Sequence, residues 1–141
     1  MKLNPDCIRA VLLEIEKEWC FEKDESGNII MGSMDMSALC KSLPNYTEED
    51  IFYTLYNLEQ AGYVDLEIMW AGGQVMMFCI INCMTYEGHE FLEKIRDTKH
   101  WAAVKSGMSA VRNYSLDAIN AIASGITGAA IAAYLEKNSL S

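Results

Sequence analysis

Apolar side chains recur every three or four residues at the start of the chain, as they do on one face of an α-helix. Asn4 stands at an N-cap position and Pro5 at the first helical position, so we predict that the first helix begins at Pro5. The apolar positions of this helix are Ile8, Val11, Leu12, Ile15 and Trp19. Their spacing predicts an amphipathic helix that buries this face.

A charged segment and two short elements follow the first helix. Residues 22–32 contain the turn signal Ser26-Gly27-Asn28 and then the apolar run Ile29-Ile30-Met31, which together predict a loop and a short strand. Asp35 is placed to cap a brief second helix, which Pro44 ends.

The third helix has clear signals at both ends. Thr47 and Asp50 stand at capping-box spacing, with Asp in place of the usual Glu or Gln. Gly62 fits a C-terminal cap, so we predict that the third helix runs between these positions.

A period of two replaces the helical period after Gly62. Alternation of apolar and polar residues over 63–70 predicts a half-buried strand. The residues predicted to face inward are Val64, Leu66, Ile68 and Trp70. Gly72 and Gly73 favour a tight hairpin turn, and residues 75–83 return as a second strand that is apolar on both faces.

The order of these elements indicates the fold class. Helices capped by Thr85, Thr98 and Ser115 follow the hairpin. A winged helix-turn-helix has the order helix, short strand, two helices and hairpin, which is the order predicted here. We therefore predict an α+β, winged-helix-like domain over residues 1–98. Residues 99–141 form a C-terminal helical extension, which either packs on this domain or makes a dimer interface.

Charge argues against the usual role of this fold. The net charge is -9, and no Lys or Arg occurs between Lys41 and Lys94, a segment that holds nine acidic residues. This segment should contain the recognition helix and the wing. Because Lys and Arg supply most of the affinity for DNA phosphates, we expect no nucleic acid partner. Acidic residues at a helix start also have an ordinary explanation, since they stabilise the helix dipole.

The third helix offers a candidate surface for a protein partner. If Ile51, Leu55, Leu58 and Ala61 face the core, the aromatic residues between them lie partly outside. The candidate partner-binding residues are Phe52, Tyr53, Tyr56, Asn57 and Gln60. An alternative remains open, in which another segment of the chain covers the aromatic rings.

An alternative function is DNA binding by a transcriptional regulator through the fourth and fifth helices. The basic residues there are Lys94, Arg96, Lys99, Lys105 and Arg112. Glu93 and Asp97 interleave with them, so the positive charge of this cluster is modest.

The sequence offers little for catalysis or for a cofactor. Cys79 and Cys83 lie four apart on a strand, roughly 13 Å apart along it, which is too far to share a metal ion. A Cys83–His89 nucleophile pair is formally possible, but thiols in an apolar strand are more often packed core residues. We expect no enzyme activity, metal or cofactor. Five cysteines, an odd number, indicate reduced thiols and a cytoplasmic protein.

Residues 118–135 carry no charge. This segment has three alternative interpretations. It forms a membrane helix, it packs on the rest of the chain, or it packs against a second copy of the chain. Small residues at close-approach spacing favour helix packing, so we expect a homodimer and no membrane contact. The candidate oligomer-interface residues are Ile119, Ile122, Gly125, Ile126 and Ala129.

Several segments together resemble a known family. They are Met1-Lys-Leu-Asn-Pro-Asp-Cys-Ile-Arg9, Tyr46-Thr-Glu-Glu-Asp-Ile51, Leu58-Glu-Gln-Ala-Gly-Tyr63, Met84-Thr-Tyr-Glu-Gly-His-Glu-Phe-Leu92, Ile95-Arg-Asp97 and Tyr114-Ser-Leu-Asp117. With these segments the chain resembles the uncharacterised family called domain of unknown function 2513. The resemblance implies a phage or prophage context and supplies no catalytic residues. The uncharged tail departs from the family pattern.

These observations together predict a non-catalytic protein-interaction module of phage or mobile-element origin. The partner is expected to be another protein, bound at the acidic and aromatic third helix. Neither the identity of that partner nor the biological process follows from the residues.

Overall fold

The computed structural model describes residues 1–18 and 20–125 and has a mixed α+β fold. It divides into two compact units, Met1–Glu90 and Phe91–Ser141, which we call the first and the second unit. The division falls within a helix, whereas the sequence placed the domain boundary after residue 98.

Three capped helices form much of the first unit. Helix α1 (Pro5–Lys17) begins where Asn4 Oδ1 accepts hydrogen bonds from two backbone N–H groups. The next two helices are α2 (Met36–Ser42) and α3 (Glu48–Gln60). Asp35 caps α2 and Thr47 caps α3, so all three predicted caps are confirmed.

Five strands form two small antiparallel sheets in this unit. Strands β1 (Phe21–Lys23) and β2 (Ile29–Met31) pair with each other. Strands β3 (Met34–Asp35), β4 (Val64–Ala71) and β5 (Val75–Met84) form a second sheet in the order β3-β5-β4.

The short strand that pairs with the β4–β5 hairpin is not the one that the sequence predicted. Residues 29–31 are a strand, as predicted, but they pair with residues 21–23, which were expected to belong to a helix end and a loop. Met34 and Asp35 pair with β5 instead. The positive φ angles of Gly72 and Gly73 confirm the predicted tight turn between β4 and β5.

The core of the first unit lies between the helices and one face of the β3-β5-β4 sheet. Its fully buried side chains include Ile8, Leu12, Leu39, Ile51, Leu55, Leu58 and Ile81. Two expectations about burial were wrong. Ala61 is exposed because α3 ends there, and Trp70 is 45% exposed because it lies near the hairpin turn. Thr54 is buried, and its hydroxyl donates to Cys7 Sγ.

Three further helices complete the described chain. They are α4 (Tyr86–Ile95), α5 (Thr98–Val111) and α6, which covers residues 116–125 of the described chain. Thr98 was expected to cap α5, but the cap is Asp97, whose carboxylate accepts from the His100 backbone N–H. Ser115 caps α6 as predicted. Large buried side chains of the second unit include Phe91, Leu92, Ile95, Met108 and Ile119.

Candidate protein-binding surface

Three aromatic side chains meet on the surface of the first unit. The ring of Phe52 lies 6.3 Å from that of Tyr56, one turn further along α3. On its other side, Phe52 meets the ring of Trp70 edge-on, with centroids 5.9 Å apart and planes at 76°. Tyr56 is 42% exposed and Trp70 is 45% exposed. We call Phe52, Tyr56 and Trp70 the aromatic cluster.

The length of the hairpin explains why Trp70 reaches this surface. Along β4, the inward-facing side chains change from buried at Val64 and Leu66 to half-buried at Ile68 and exposed at Trp70. The hairpin therefore extends past the edge of the core. The sequence pattern placed Trp70 on the correct face but missed its exposure, although its position beside the 71–74 turn was a usable signal.

The remaining predicted partner-binding residues are less clearly part of this surface. Tyr53 is half-buried, and the side-chain amide of Asn57 donates to the Tyr53 carbonyl at 2.8 Å. Gln60 is exposed at the end of α3. The structure thus brings together Phe52 and Tyr56 from the predicted set and adds Trp70 to them.

A groove lies beside the starts of α2 and α3, against β5. Its volume is about 240 Å³, and Met76, Met77, Phe78 and Cys40 supply apolar walls. Asp35 and Glu48 also line it. No Lys or Arg lines this groove among the residues that the structure describes. The groove was not predicted, because it depends on how α2 packs beside β5.

Two acidic residues of the first unit have pKa values that are shifted in opposite directions. The Ser37 backbone N–H donates to the Asp35 carboxylate and lowers its pKa, so Asp35 remains ionised at neutral pH. Desolvation by burial raises the pKa of Glu59, and the negative charge of Asp65 adds to this effect. The groove therefore keeps a fixed negative charge at Asp35.

A second, smaller cavity brings two thiols and an imidazole together. Cys20, Cys83 and His89 all line a cavity of about 60 Å³. Burial and a hydrogen bond to Cys20 raise the pKa of Cys83 to about 11. An activated cysteine nucleophile shows the opposite shift, since the reactive form is the thiolate. Cys83 and His89 thus line one cavity, but the raised pKa of Cys83 does not fit an activated nucleophile.

Thiol labelling should reflect this environment. At pH 8, a pKa of about 11 at Cys83 and at Cys79 leaves roughly one thiolate in a thousand. We expect iodoacetamide to modify both at least about 100-fold more slowly than in denatured protein, and tenfold faster for each added pH unit. Mass spectrometry of the alkylated peptides measures both rates. Rapid labelling of Cys83 at pH 7 would contradict the assignment and indicate an activated thiol.

Neither a metal-ligand cluster nor a membrane-spanning helix occurs among the residues that the structure describes. Within residues 1–18 and 20–125, no group of three or more His, Cys, Asp or Glu side chains is arranged to hold a metal ion. Over the same residues, no helix has both the length and the apolar character needed to cross a bilayer.

The basic residues of α4 and α5 are partly used within the second unit. Lys94 donates to Asn120 Oδ1 at 2.9 Å, and Arg96 pairs with Glu93 at 2.8 Å. Lys99, Lys105 and Arg112 are exposed, and Arg112 has a φ of 54° as the C-cap of α5. Lys94 therefore joins α4 to α6 within the second unit, whereas the Arg96–Glu93 pair is an exposed contact between residues three apart.

The predicted oligomer-interface residues are divided between the core and the surface. Ile119 is fully buried, and Ile122 packs over Gly107 of α5. Gly125 is exposed, while Ile126 and Ala129 lie outside the described residues. Ile119 and Ile122 thus contribute to packing within one chain, and the interface between two copies stays a prediction.

Two of the segments that carry the family resemblance meet in space. Backbone N–H of Thr85 donates to the Tyr63 carbonyl at 3.0 Å, and the Thr85 hydroxyl donates to the Gly62 carbonyl. The same hydroxyl accepts from the Gly88 N–H and caps α4. We call Gly62, Tyr63, Thr85 and Gly88 the glycine corner. Its role is structural, because it ties the start of α4 to the end of α3.

Comparison with known proteins agrees with this resemblance. Residues 2–114 match the family described as "Hypothetical protein (DUF2513)". An "Uncharacterized protein" of Haemophilus influenzae is 29% identical over 127 residues, which cover 89% of this chain and 95% of the relative. No solved structure gives a significant match. Because the family match covers most of the 141 residues, the chain belongs to the DUF2513 family.

Proposed function

We propose that the protein is a non-catalytic interaction module that binds another protein through the aromatic cluster on a winged-helix-like scaffold. The scaffold is supported by the order α1, β3, α2, α3, β4, β5 and by the central position of β5 in its sheet. In a winged helix, α3 is the recognition helix and the β4–β5 hairpin is the wing. The aromatic cluster joins these two elements.

The observation that carries the proposal is the exposure of this cluster on α3 and β4, two elements that contain no Lys or Arg. Aromatic side chains are enriched in protein interfaces, where they bury a large area at a small entropic cost. DNA binding needs cations that neutralise phosphates, and residues 42–93 contain none. Protein contact therefore fits α3 and the hairpin better than DNA contact does.

The alternative surface on α4 and α5 has weaker support. Moving Lys94 or Arg96 onto a phosphate would break a contact that each makes within the second unit. The raised pKa of Cys83 likewise supports a non-catalytic role. A phage or prophage context, a cytoplasmic location and a homodimeric state are further parts of this proposal, and they rest on the resemblance, the cysteine count and the uncharged tail.

Affinity capture from an extract of the host bacterium tests the proposed function. The bait proteins are wild type, the double variant Tyr56→Ala/Trp70→Ala and the control Met69→Ala. Met69 is 53% exposed and adjacent to Trp70 on β4, but it does not belong to the aromatic cluster. We expect a specific protein to bind wild type and Met69→Ala, and at least about tenfold less of it to bind the double variant.

A DNA-binding assay completes this test. We expect no submicromolar, salt-sensitive binding of wild-type protein to duplex DNA. Such binding, if lost in Lys99→Ala/Lys105→Ala, would replace the proposal with the regulator alternative. Equal capture by wild type and the double variant would remove the aromatic cluster from the interaction.

A further inference from the structure

We propose that the occupant of this surface is a cationic amphipathic peptide segment of the partner, with arginine over the aromatic cluster and apolar side chains in the adjacent groove. This inference rests on the proposed function and specifies the chemistry of the partner. It depends on three features of the first unit: the continuity of groove and cluster, the charge around them, and the exposure of the aromatic residues.

The groove and the aromatic cluster adjoin each other along β5 and α3. Met76 lines the groove, and it is the residue on β5 that pairs in register with Trp70. Glu48 also lines the groove and stands one helical turn before Phe52 on α3. A single extended or helical segment can therefore contact both features at once.

The groove suits apolar side chains of a partner. Met76, Met77 and Phe78 contribute to its walls, and Met77 is 62% exposed. Methionine is flexible and polarisable, so a surface of this kind adapts to different aliphatic side chains. Covering it removes apolar area from water, which favours association by roughly 25 cal/mol for each Å² buried.

The charge of the surroundings selects a cationic segment. Asp35 and Glu48 line the groove, and Glu49 lies exposed one turn before Phe52. Among the described residues no Lys or Arg lines the groove, and residues 42–93 contain none. An acidic partner would bring like charges together, whereas a basic one gains from complementarity and approaches faster.

The exposed rings distinguish arginine from a general positive charge. Trp70 and Tyr56 are each more than 40% exposed, so part of each residue is accessible to a ligand. A guanidinium group stacks on aromatic faces and can pair with a carboxylate at the same time. Glu48, on the same side of α3 as Phe52 and Tyr56, is the carboxylate best placed for this pairing.

Three fluorescein-labelled synthetic peptides of equal length test the inference by fluorescence anisotropy. The first alternates leucine and arginine in an amphipathic pattern, the second has glutamate in place of arginine, and the third has serine in place of leucine. We expect the first peptide to bind the full-length protein and each of the others to bind at least about tenfold more weakly. Raising the salt concentration should weaken binding of the first peptide.

Variants of the protein distinguish binding of the peptide at this site from general attraction of a cationic peptide to an acidic protein. We expect Trp70→Ala and Glu48→Gln each to weaken binding of the leucine–arginine peptide about tenfold. Met69→Ala and Glu25→Gln are the matched controls, because both residues are exposed and lie outside the groove and cluster. We expect these controls to bind as wild type does.

The outcomes distinguish the inference from the proposed function. Equal binding of the arginine and glutamate peptides, or peptide binding that Trp70→Ala leaves unchanged, overturns the inference. If no peptide binds while capture of a partner still depends on Tyr56 and Trp70, the inference fails and the proposed function stands. If capture is independent of both residues, the proposed function itself fails.

Discussion

Replacing Gly88 with alanine is expected to lower the free energy of unfolding by about 3 kcal/mol or more. Gly88 is buried in the first turn of α4, against the Tyr63 backbone. A Cβ there would overlap the Tyr63 carbonyl and would lie 2.7 Å from Met84 Cγ. Because the Tyr63 backbone is fixed by its own hydrogen bonds, α4 must move away and the cap at Thr85 is lost.

Gly107→Ala is the matched control for this change. Gly107 also lies inside a helix, but a Cβ there would meet side-chain atoms of Ile122 and no backbone, with the Cγ2 methyl group at 2.8 Å. Ile122 must shift slightly to relieve this contact, and the higher helix propensity of alanine offsets part of the cost, so we expect a smaller loss, of about 1–2 kcal/mol. Urea unfolding followed by circular dichroism compares the two variants. Equal stability of Gly88→Ala and wild type would show that α4 does not approach Tyr63 as described.

Ile119→Ala is expected to destabilise the protein by about 2–5 kcal/mol, at every protein concentration. The side chain of Ile119 is completely buried in the second unit, so its truncation leaves a cavity within one chain. Ile119→Val, which removes a single methylene group, should cost only about 1 kcal/mol. Thermal unfolding, measured over a hundredfold range of protein concentration, gives the loss of stability of each of the two variants.

The concentration series decides between two roles of Ile119. If its burial completed a dimer interface, the midpoint temperature would rise with concentration and Ile119→Ala would reduce that rise. Val111→Ala, at a residue 62% exposed on α5, is the control and should change stability by at most about 0.5 kcal/mol. A concentration-dependent loss confined to Ile119→Ala would contradict its assignment to the core of one chain.

Local signals predicted much of the fold. The caps at Asn4, Asp35 and Thr47 depend on a side chain and a backbone group two or three residues away, so sequence spacing suffices to identify them. The turn at Gly72 and Gly73 depends on positive φ angles that only glycine adopts readily.

Pairing between distant segments was harder to predict. Residues 29–31 carry a strand signal, but that signal does not say whether residues 21–23 or β5 will be their neighbour. The strand that reaches β5 contains only Met34 and Asp35, too short for any periodicity to appear. Packing between segments that are distant in the sequence determined which strands pair.

The candidate site shows the same division. Helical spacing placed Phe52 and Tyr56 on the outer face of α3, and they do lie together there. Trp70 and the groove depend on how far the hairpin extends past the core and on where α2 lies. Neither the extent of the hairpin beyond the core nor the position of α2 is encoded in a short window of sequence. The sequence therefore predicted Phe52 and Tyr56 as part of the surface and missed Trp70 and the groove.

The glycine corner also has a consequence for the order in which the chain folds. Thr85 and Gly62 lie 23 positions apart in the sequence, and the whole β4–β5 hairpin lies between them. The first turn of α4 gains its hydrogen bonds to the end of α3 only after the hairpin has returned. Since an isolated first turn is unfavourable, the start of α4 should form in the folding pathway after the hairpin and not before it.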